Sequence, residues 1–239
     1  MKLVKVSTYE EMSNEASEIL FDVIKENDKP VIGLATGSTP EGTYKALIEK
    51  LNSSDVNQND ITTFNLDEYV GLDKDHEQSY SYYMHENFFN HVSIPEENIH
   101  LLNGKAEDAE TEVTAYEAAI DQAGLDVQLL GIGRNGHIAF NEPGTSFDSV
   151  THIVDLTPET IEDNSRFFDD LKDVPNKAFT MGLSSIMKAE KIVILISGEN
   201  KKEALAELLS GEVSENNPAS VLNNHKDVTI IADTAAIGE

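Results

Sequence analysis

The chain has 239 residues, a formal net charge of −27 and no cysteine. So negative a charge disfavours phosphate polymers, which excludes nucleic acids and anionic membranes as general partners. Without cysteine there is no disulfide, thiolate nucleophile or cysteine-based metal site, as is usual for proteins of the reducing cytoplasm. The sequence has neither a signal peptide nor a run of about 18 apolar residues, so we expect a soluble cytoplasmic protein with no membrane segment.

Helix and strand signals alternate along the chain. Residues 8–27 predict a helix, the apolar run 31–35 predicts a strand buried on both faces, and Pro40 opens a second helix. Further strands are predicted at 61–66, 127–132, 191–197 and 228–232, weaker strands at 151–156 and 178–181, and helices at 79–92, 107–122 and 201–209. No linker-like segment divides the chain. We therefore predict one α/β domain over residues 1–239, built on a doubly wound, mostly parallel sheet.

The first polar segment at a predicted strand end is Thr36-Gly37-Ser38-Thr39. Ligands of such folds bind beyond the carboxyl ends of the strands, and N–H groups at a helix N-terminus attract anions. The segment therefore predicts a phosphate-binding turn. The alternative is simple capping, with Ser38 or Thr39 as N-cap and Pro40 at the first helical position.

The second segment, Asp67-Glu68, follows the strand predicted at 61–66. A carboxylate at this edge of the sheet suits a general base that takes a proton from carbon. The alternative is that Asp67 caps a turn or helix while Glu68 is solvated.

The third segment runs from Gly131 to Pro143 and contains Gly133, His137 and Glu142. It begins like the G-x-G-x-x-G motif of dinucleotide-binding proteins, but Pro143 follows too soon for the helix that this motif must open. The glycines instead indicate a close approach of backbone to another small ligand. His137 with Glu142 suits a general acid–base pair, and the alternative is a histidine that satisfies a backbone group.

No metal site is predicted. His85 and His91 are spaced i, i+6, which places them about 240° apart on a helix, whereas a shared metal needs i, i+4.

Five segments in order, LATGSTPEGTY, TTFNLDEYVGL, SYSYYMHENFF, GIGRNGHIAFNEPGTSF and NSRFF, resemble the glucosamine-6-phosphate deaminase family. The resemblance runs over roughly residues 1–235. It implies the Rossmann-like fold of sugar-phosphate isomerases and deaminases, and the conversion of glucosamine 6-phosphate to fructose 6-phosphate and ammonia in amino-sugar breakdown. It implies no cofactor.

The resemblance also implies roles for individual residues. Asp67 moves a proton from C2 to C1, His137 assists ring opening, and Glu142 orients His137. Asn135 occupies a position where many members carry aspartate, and it can only form hydrogen bonds. The substrate and its phosphate are expected to meet residues of several loops: Thr36, Gly37, Ser38, Thr39, Gly133, Arg166 and Lys201.

His152 and Val154 fall where longer, hexameric members carry the arginine and lysine of an allosteric site. We therefore expect a monomer or small homo-oligomer that N-acetylglucosamine 6-phosphate does not activate. A 6-phosphogluconolactonase-like enzyme, another sugar-phosphate isomerase, or a sugar-phosphate sensor on the same fold remain alternatives. A lactonase or isomerase would release no ammonia, and a sensor would have no use for Asp67 beside His137 and Glu142.

Overall fold

The computed structural model describes residues 1–157, 161, 168 and 174–238. Within them the strands, in chain order, are β1 (Lys2–Val6), β2 (Val31–Leu34), β3 (Thr62–Asn65), β4 (Asp67–Tyr69), β5 (Ile99–His100), β6 (Val127–Gly131), β7 (His152–Asp155), β8 (Lys177–Thr180), β9 (Lys191–Ile196) and β10 (Val228–Asp233). Seven of them form a parallel sheet in the order β1-β10-β9-β6-β2-β3-β5. The predicted α/β fold with a mostly parallel sheet is confirmed.

Helices cover both faces of this sheet. The helices of the described residues are α1 (Tyr9–Glu26), α2 (Glu41–Ser53), α3 (Tyr80–Asn87), α4 (Ala109–Ala123), α5 (Leu183–Ile186), α6 (Lys202–Ser210) and α7 (Thr234–Ile237). In that part of the chain, none of the helices is long and apolar enough to cross a membrane.

The alternation of side chains in β9 shows how two cores arise from one continuous apolar strand. Val193 and Leu195 pack into the core beneath α1, α2 and α3, whereas Ile192, Ile194 and Ile196 pack into the core beneath α4 and α6. Because successive side chains point to opposite faces, a strand covered on both faces must be apolar throughout. This is the pattern from which the buried strands were predicted.

The order of the strands creates a crevice between β2 and β6. From β2 the chain proceeds to β3 and β5 on one side, and then to β6, β9 and β10 on the other. The connections after β2 and β6 therefore leave the sheet in opposite directions, which is where ligands bind in doubly wound folds. The segments 35–40 and 132–143 follow these two strands.

Two predicted strands belong to a different sheet. The segments 151–156 and 178–181 do form strands, β7 and β8, but these pair antiparallel with each other in a three-stranded sheet of order β4-β8-β7. Asp67 and Glu68 lie in β4, so they belong to a strand rather than to a turn. Short strands of four residues carry too little pattern to show which sheet they join.

Most helix boundaries differ from prediction by one or two residues, and the end of α3 differs by five. The helix predicted at 79–92 ends at Asn87, and Phe89–His91 continues as a 3₁₀ turn. Pro40 is the N-cap of α2 rather than its first helical residue, and no side chain caps this helix. Capping of α2 by Ser38 or Thr39 is therefore wrong.

Candidate active site

Two tyrosines bind the backbone of the turn after β2. Tyr83 of α3 donates to the carbonyl oxygen of Gly37 at 2.7 Å, and Tyr9 of α1 donates to that of Ser38 at 3.0 Å. Gly37 has φ +95°, a conformation that favours glycine. Within the described residues, the N–H groups of Gly37, Ser38 and Thr39 donate to no backbone acceptor. With its carbonyls engaged and these amides available, the turn can hold an anion.

Asp67 is a buried carboxyl group without a hydrogen-bond partner on one oxygen. Its residue is 8% exposed, and Oδ1 has no partner within the described part of the chain. Burial, and next the charge of Glu68, raise the pKa of Asp67 to about 8. A carboxyl group with such a pKa can both accept and return a proton near neutral pH.

Glu68 is buried rather than solvated, so the alternative in which Asp67 caps a turn or helix while Glu68 faces water is wrong. The residue is 2% exposed, and its carboxylate accepts from the backbone N–H groups of Tyr69, Tyr80 and Ser81 at 2.8, 3.0 and 2.8 Å. It is therefore Glu68, not Asp67, that caps a helix.

The loop after β6 brings Asn135, His137 and Glu142 together. Nδ1 of His137 lies 2.8 Å from Oδ1 of Asn135 and 3.5 Å from Oε1 of Glu142. Nδ2 of Asn135 donates to Oε2 of Glu142 at 2.7 Å. The hydrogen bond with His137, its charge when protonated and the Asn135 amide lower the pKa of Glu142 against the opposing effect of burial. An ionised Glu142 is therefore held beside the histidine.

The amide of Asn135 assigns the tautomer of His137. Because Nδ2 must donate to Glu142, Oδ1 faces the imidazole and accepts from it. The proton of neutral His137 then resides on Nδ1, and Nε2 keeps a lone pair. Such a ring can take a proton at Nε2 and give it back, which is what general acid–base catalysis requires.

Gly133 is required because the imidazole of His137 lies directly against its Cα. A Cβ at this position would lie 2.2 Å from Cε1 and 2.3 Å from Nδ1 of His137. The backbone reinforces the turn, since the N–H of Gly133 donates to the carbonyl of His137 at 2.8 Å. The glycine thus admits a side chain of its own loop, as well as keeping the backbone accessible to a ligand.

Asp67 and the histidine loop meet at the small antiparallel sheet. Asp67 pairs with Thr180 across β4 and β8, and the hydroxyl of Thr180 accepts from the N–H of Phe140 at 3.1 Å. The buried amide of Asn141 donates to the carbonyls of Ile138 and Met181. Strand β8 therefore holds Asp67 on one side and the segment between His137 and Glu142 on the other.

Lys201 lies at the same edge, whereas Arg166 lies outside the described residues. Nζ of Lys201 donates to the carbonyl of Ile132 at 2.7 Å, one residue before Gly133. Burial, and next the charge of Arg134, lower the pKa of Lys201. A partly buried cation that shares its surroundings with an arginine is well suited to an anionic ligand.

Sequence reasoning missed Tyr9, Tyr83 and Thr180 and assigned no functional role to Glu68. These three residues lie far along the chain from their partners: Tyr83 binds Gly37, Tyr9 binds Ser38 and Thr180 binds Phe140. No local motif could therefore reveal them.

A crevice with acid–base side chains and an anion-binding turn characterises enzymes that isomerise or hydrolyse small phosphorylated substrates. A family model described as glucosamine-6-phosphate isomerases/6-phosphogluconolactonase matches residues 5–231. The chain belongs to this family.

Individual relatives narrow the comparison further. The chain is 54% identical over 238 residues to a glucosamine-6-phosphate deaminase of Oceanobacillus iheyensis, covering 99% of this chain and 95% of that protein. It is 54% identical over 237 residues to the deaminase of Thermoanaerobacter pseudethanolicus, covering 99% and 94%. A solved structure of a monomeric glucosamine-6-phosphate deaminase superposes with a TM-score of 0.96 at 48% identity, covering 100% and 99% of the two chains.

The fold is shared more widely. A 6-phosphogluconolactonase from Trypanosoma brucei superposes with a TM-score of 0.78 at 19% identity, covering 99% and 97% of the two chains. At this identity the likeness shows the common fold alone.

Proposed function

We propose that this chain is an enzyme that converts glucosamine 6-phosphate and water to fructose 6-phosphate and ammonia. The observation that carries the proposal is the placement of buried Asp67, whose Oδ1 has no hydrogen-bond partner among the described residues, across β8 from the Asn135–His137–Glu142 cluster. Full-length similarity to deaminases at 54% identity supports this reaction over others of the family. Nothing specific to this chain favours the lactonase or sensor alternatives.

The reaction begins with the opening of the pyranose ring. Nε2 of His137 exchanges a proton between the C1 hydroxyl and the ring oxygen, with Asn135 and Glu142 holding the tautomer and stabilising the charged ring. Opening exposes an aldehyde at C1, which makes the proton on C2 acidic.

Asp67 then moves a proton between neighbouring carbons. Its carboxylate takes the proton from C2, and the resulting enolate carries the amino group on C2. Return of the proton to C1, with transfer of one proton from the nitrogen to the C1 oxygen, leaves an imine at C2, which water hydrolyses to the ketone and ammonia. A base whose pKa is raised to about 8 by burial and the Glu68 charge is strong enough to take this proton and weak enough to release it.

The phosphate of the substrate is proposed to lie on the turn Thr36–Thr39, with Lys201 and Arg166 as cations and Gly133 bordering the sugar. The available amides of the turn and the position of Lys201 at the end of β6 support the first two contacts. The contact with Arg166 is proposed from the family resemblance alone.

The remaining expectations are proposals of the same kind. We propose that residues 1–239 act as one domain, since the site uses segments from Thr36 to Lys201. Similarity to a structure described as monomeric supports a monomer or small homo-oligomer. A cytoplasmic role in amino-sugar breakdown stays a prediction.

Release of ammonia tests the proposal. The wild-type protein should form ammonia and fructose 6-phosphate in equal amounts from glucosamine 6-phosphate. Asp67→Asn should bind substrate but lose deamination and exchange of the C2 proton with deuterated solvent, by ~10²–10⁴-fold. Asp22→Asn removes an exposed carboxylate of α1 and serves as the control.

Two results would contradict the proposal. A wild-type protein that forms no ammonia would exclude the deaminase. An Asp67→Asn variant within about threefold of wild type would exclude Asp67 as the base, because a lost general base costs far more.

A further inference from the structure

On the basis of the proposed deaminase reaction, we propose that Glu68 is a positioning residue for Asp67. Its carboxylate fixes the strand that carries the base to the first turn of α3, and it places a buried negative charge beside that base. This goes beyond the acid–base cluster, because the Glu68 carboxylate is bound to backbone N–H groups of Tyr69, Tyr80 and Ser81 and acts through Asp67.

The hydrogen bonds of Glu68 account for the first turn of α3. An isolated helix leaves its first N–H groups without partners. Here Oε1 of Glu68 accepts from Tyr80 and Oε2 accepts from Ser81, while Oγ of Ser79 accepts from Tyr82 at 3.0 Å. A residue twelve positions upstream therefore completes the cap that Ser79 begins, and the helix cannot shift without moving β4.

The attachment also reaches the histidine loop. Tyr80, whose N–H binds Glu68, stacks on Phe140 with ring centroids 6.1 Å apart and donates its hydroxyl to that of Tyr69 at 3.3 Å. Phe140 lies between His137 and Glu142 in the chain. Glu68 thus connects the two halves of the site through one helix turn.

The charge of Glu68 is the second part of its role. Asp67 is surrounded by buried phenols, Tyr44 of α2, Tyr80 of α3 and Tyr116 of α4, whose pKa values burial raises, so they stay neutral. In the described part of the chain, Glu68 is the charged group that opposes ionisation of Asp67.

The pKa of Glu68 itself reflects two opposing effects. Burial raises it and outweighs the three N–H donors, which lower it, so the pKa of Glu68 lies above its ordinary value. These donors meet both oxygens, which is the environment that favours a carboxylate. A negative charge next to Asp67 makes Asp67 the stronger base.

The pH dependence of kcat/KM for ammonia release distinguishes this role from a structural one. Glu68→Gln keeps the shape and removes the charge, whereas Glu68→Asp keeps the charge and shortens the reach. Asp108→Asn is the matched control, since the exposed Asp108 caps another helix, α4, by accepting from the N–H groups of Glu110 and Thr111. The ionisation of the substrate is common to all variants, so any difference between their profiles belongs to the protein.

We expect the acidic limb of the kcat/KM profile to lie about one pH unit lower in Glu68→Gln than in wild type, because Asp67 loses a neighbouring like charge. Its plateau should fall, because a weaker base accepts the proton less readily. In Glu68→Asp the acidic limb should stay at the wild-type pH while kcat falls. Asp108→Asn should match wild type in both.

An unmoved limb in a folded Glu68→Gln protein would overturn the inference. If Glu68→Gln fails to fold, Glu68→Asp provides the test. A kcat of Glu68→Asp within twofold of wild type would exclude a positioning role of Glu68. A wild-type protein without ammonia release would instead refute the proposed function, so the two failures are distinguishable.

Discussion

At the scale of single residues, the contact between Gly133 and His137 governs the acid–base cluster. We expect Gly133→Ala to lower kcat by roughly 10- to 100-fold, because the added Cβ would overlap the imidazole and displace it from Asn135. Gly131→Ala is the control, since a Cβ there meets no heavy atom within 4 Å. Steady-state kinetics of both variants measures the effect.

Measuring the melting temperature beside kcat separates this effect from misfolding. The melting temperatures of Gly133→Ala and Gly131→Ala should be similar, since His137 is half-exposed and can rotate away. Equal kcat values for the two variants would show that the position of the imidazole against Gly133 has no catalytic importance.

The buried carboxyl group of Asp67 predicts an unusual dependence of stability on pH. Its folded-state pKa of about 8 lies above its ordinary value of 3.8. Between these two values the folded state binds a proton that the unfolded state releases, so the free energy of unfolding falls as pH rises from about 4 to about 8 and then levels off.

Asp67→Asn isolates this contribution, because all other groups are shared with wild type. The free energy of unfolding of the variant minus that of wild type should rise across this pH range and be largest above pH 8, by about 2 kcal/mol or more given ~1.4 kcal/mol per pKa unit. Denaturant titrations at pH 5 and pH 8.5 measure it. A difference independent of pH would show that Asp67 ionises normally.

At the scale of elements, α3 contacts two parts of the site that are distant in sequence. Its first turn binds Glu68, and Tyr83 in its next turn binds the carbonyl of Gly37. The base and the phosphate-binding turn therefore depend on one helix. A helix of eight residues is marginal by itself, so these contacts stabilise it as much as it stabilises them.

Removal of the Tyr83 hydroxyl tests the role of α3 in phosphate binding. Tyr83→Phe should raise KM for glucosamine 6-phosphate roughly twofold to tenfold with little change in kcat, since one net hydrogen bond contributes about 0.5–1.5 kcal/mol. Tyr82→Phe on the same helix is the control. A fall in kcat at constant KM would mean that Tyr83 serves the chemical step instead of the phosphate.

At the scale of the whole molecule, the small antiparallel sheet packs apolar side chains around one of the two positions that the family resemblance assigns to an effector site in longer members. Val154 of β7 packs against the cluster that contains Tyr69, Leu72 and Ala178. Nδ1 of His152 donates to the carbonyl of Val150 at 2.7 Å. These two positions do not offer the pair of cations that an anionic effector requires for differential binding.

The expected kinetics are therefore hyperbolic. The rate of ammonia release against substrate should give a Hill coefficient of about one, and N-acetylglucosamine 6-phosphate should compete weakly or do nothing. Unphosphorylated N-acetylglucosamine is the control. A sigmoidal curve that this phosphate makes hyperbolic would demonstrate an effector site elsewhere in the protein.

The sequence by itself was sufficient where the signal is local. The apolar β2 and the apolar run 192–196 of β9 predicted a parallel sheet with both faces covered, since each strand carries its own pattern of burial. The segment from Gly133 to Glu142 predicted the histidine cluster for the same reason, because its hydrogen bonds join residues at most seven apart.

Only the tertiary structure decided which acid does what in the Asp67-Glu68 pair. Neighbours in a strand point to opposite faces, so one acid lies among buried phenols and the other binds the first turn of α3, but no local pattern says which. The answer depends on contacts of Glu68 with residues 12 and 13 positions away, and on the link between Phe140 and Thr180, 40 positions apart. Such pairings form when elements pack, and they give each of two adjacent carboxyl groups its own environment.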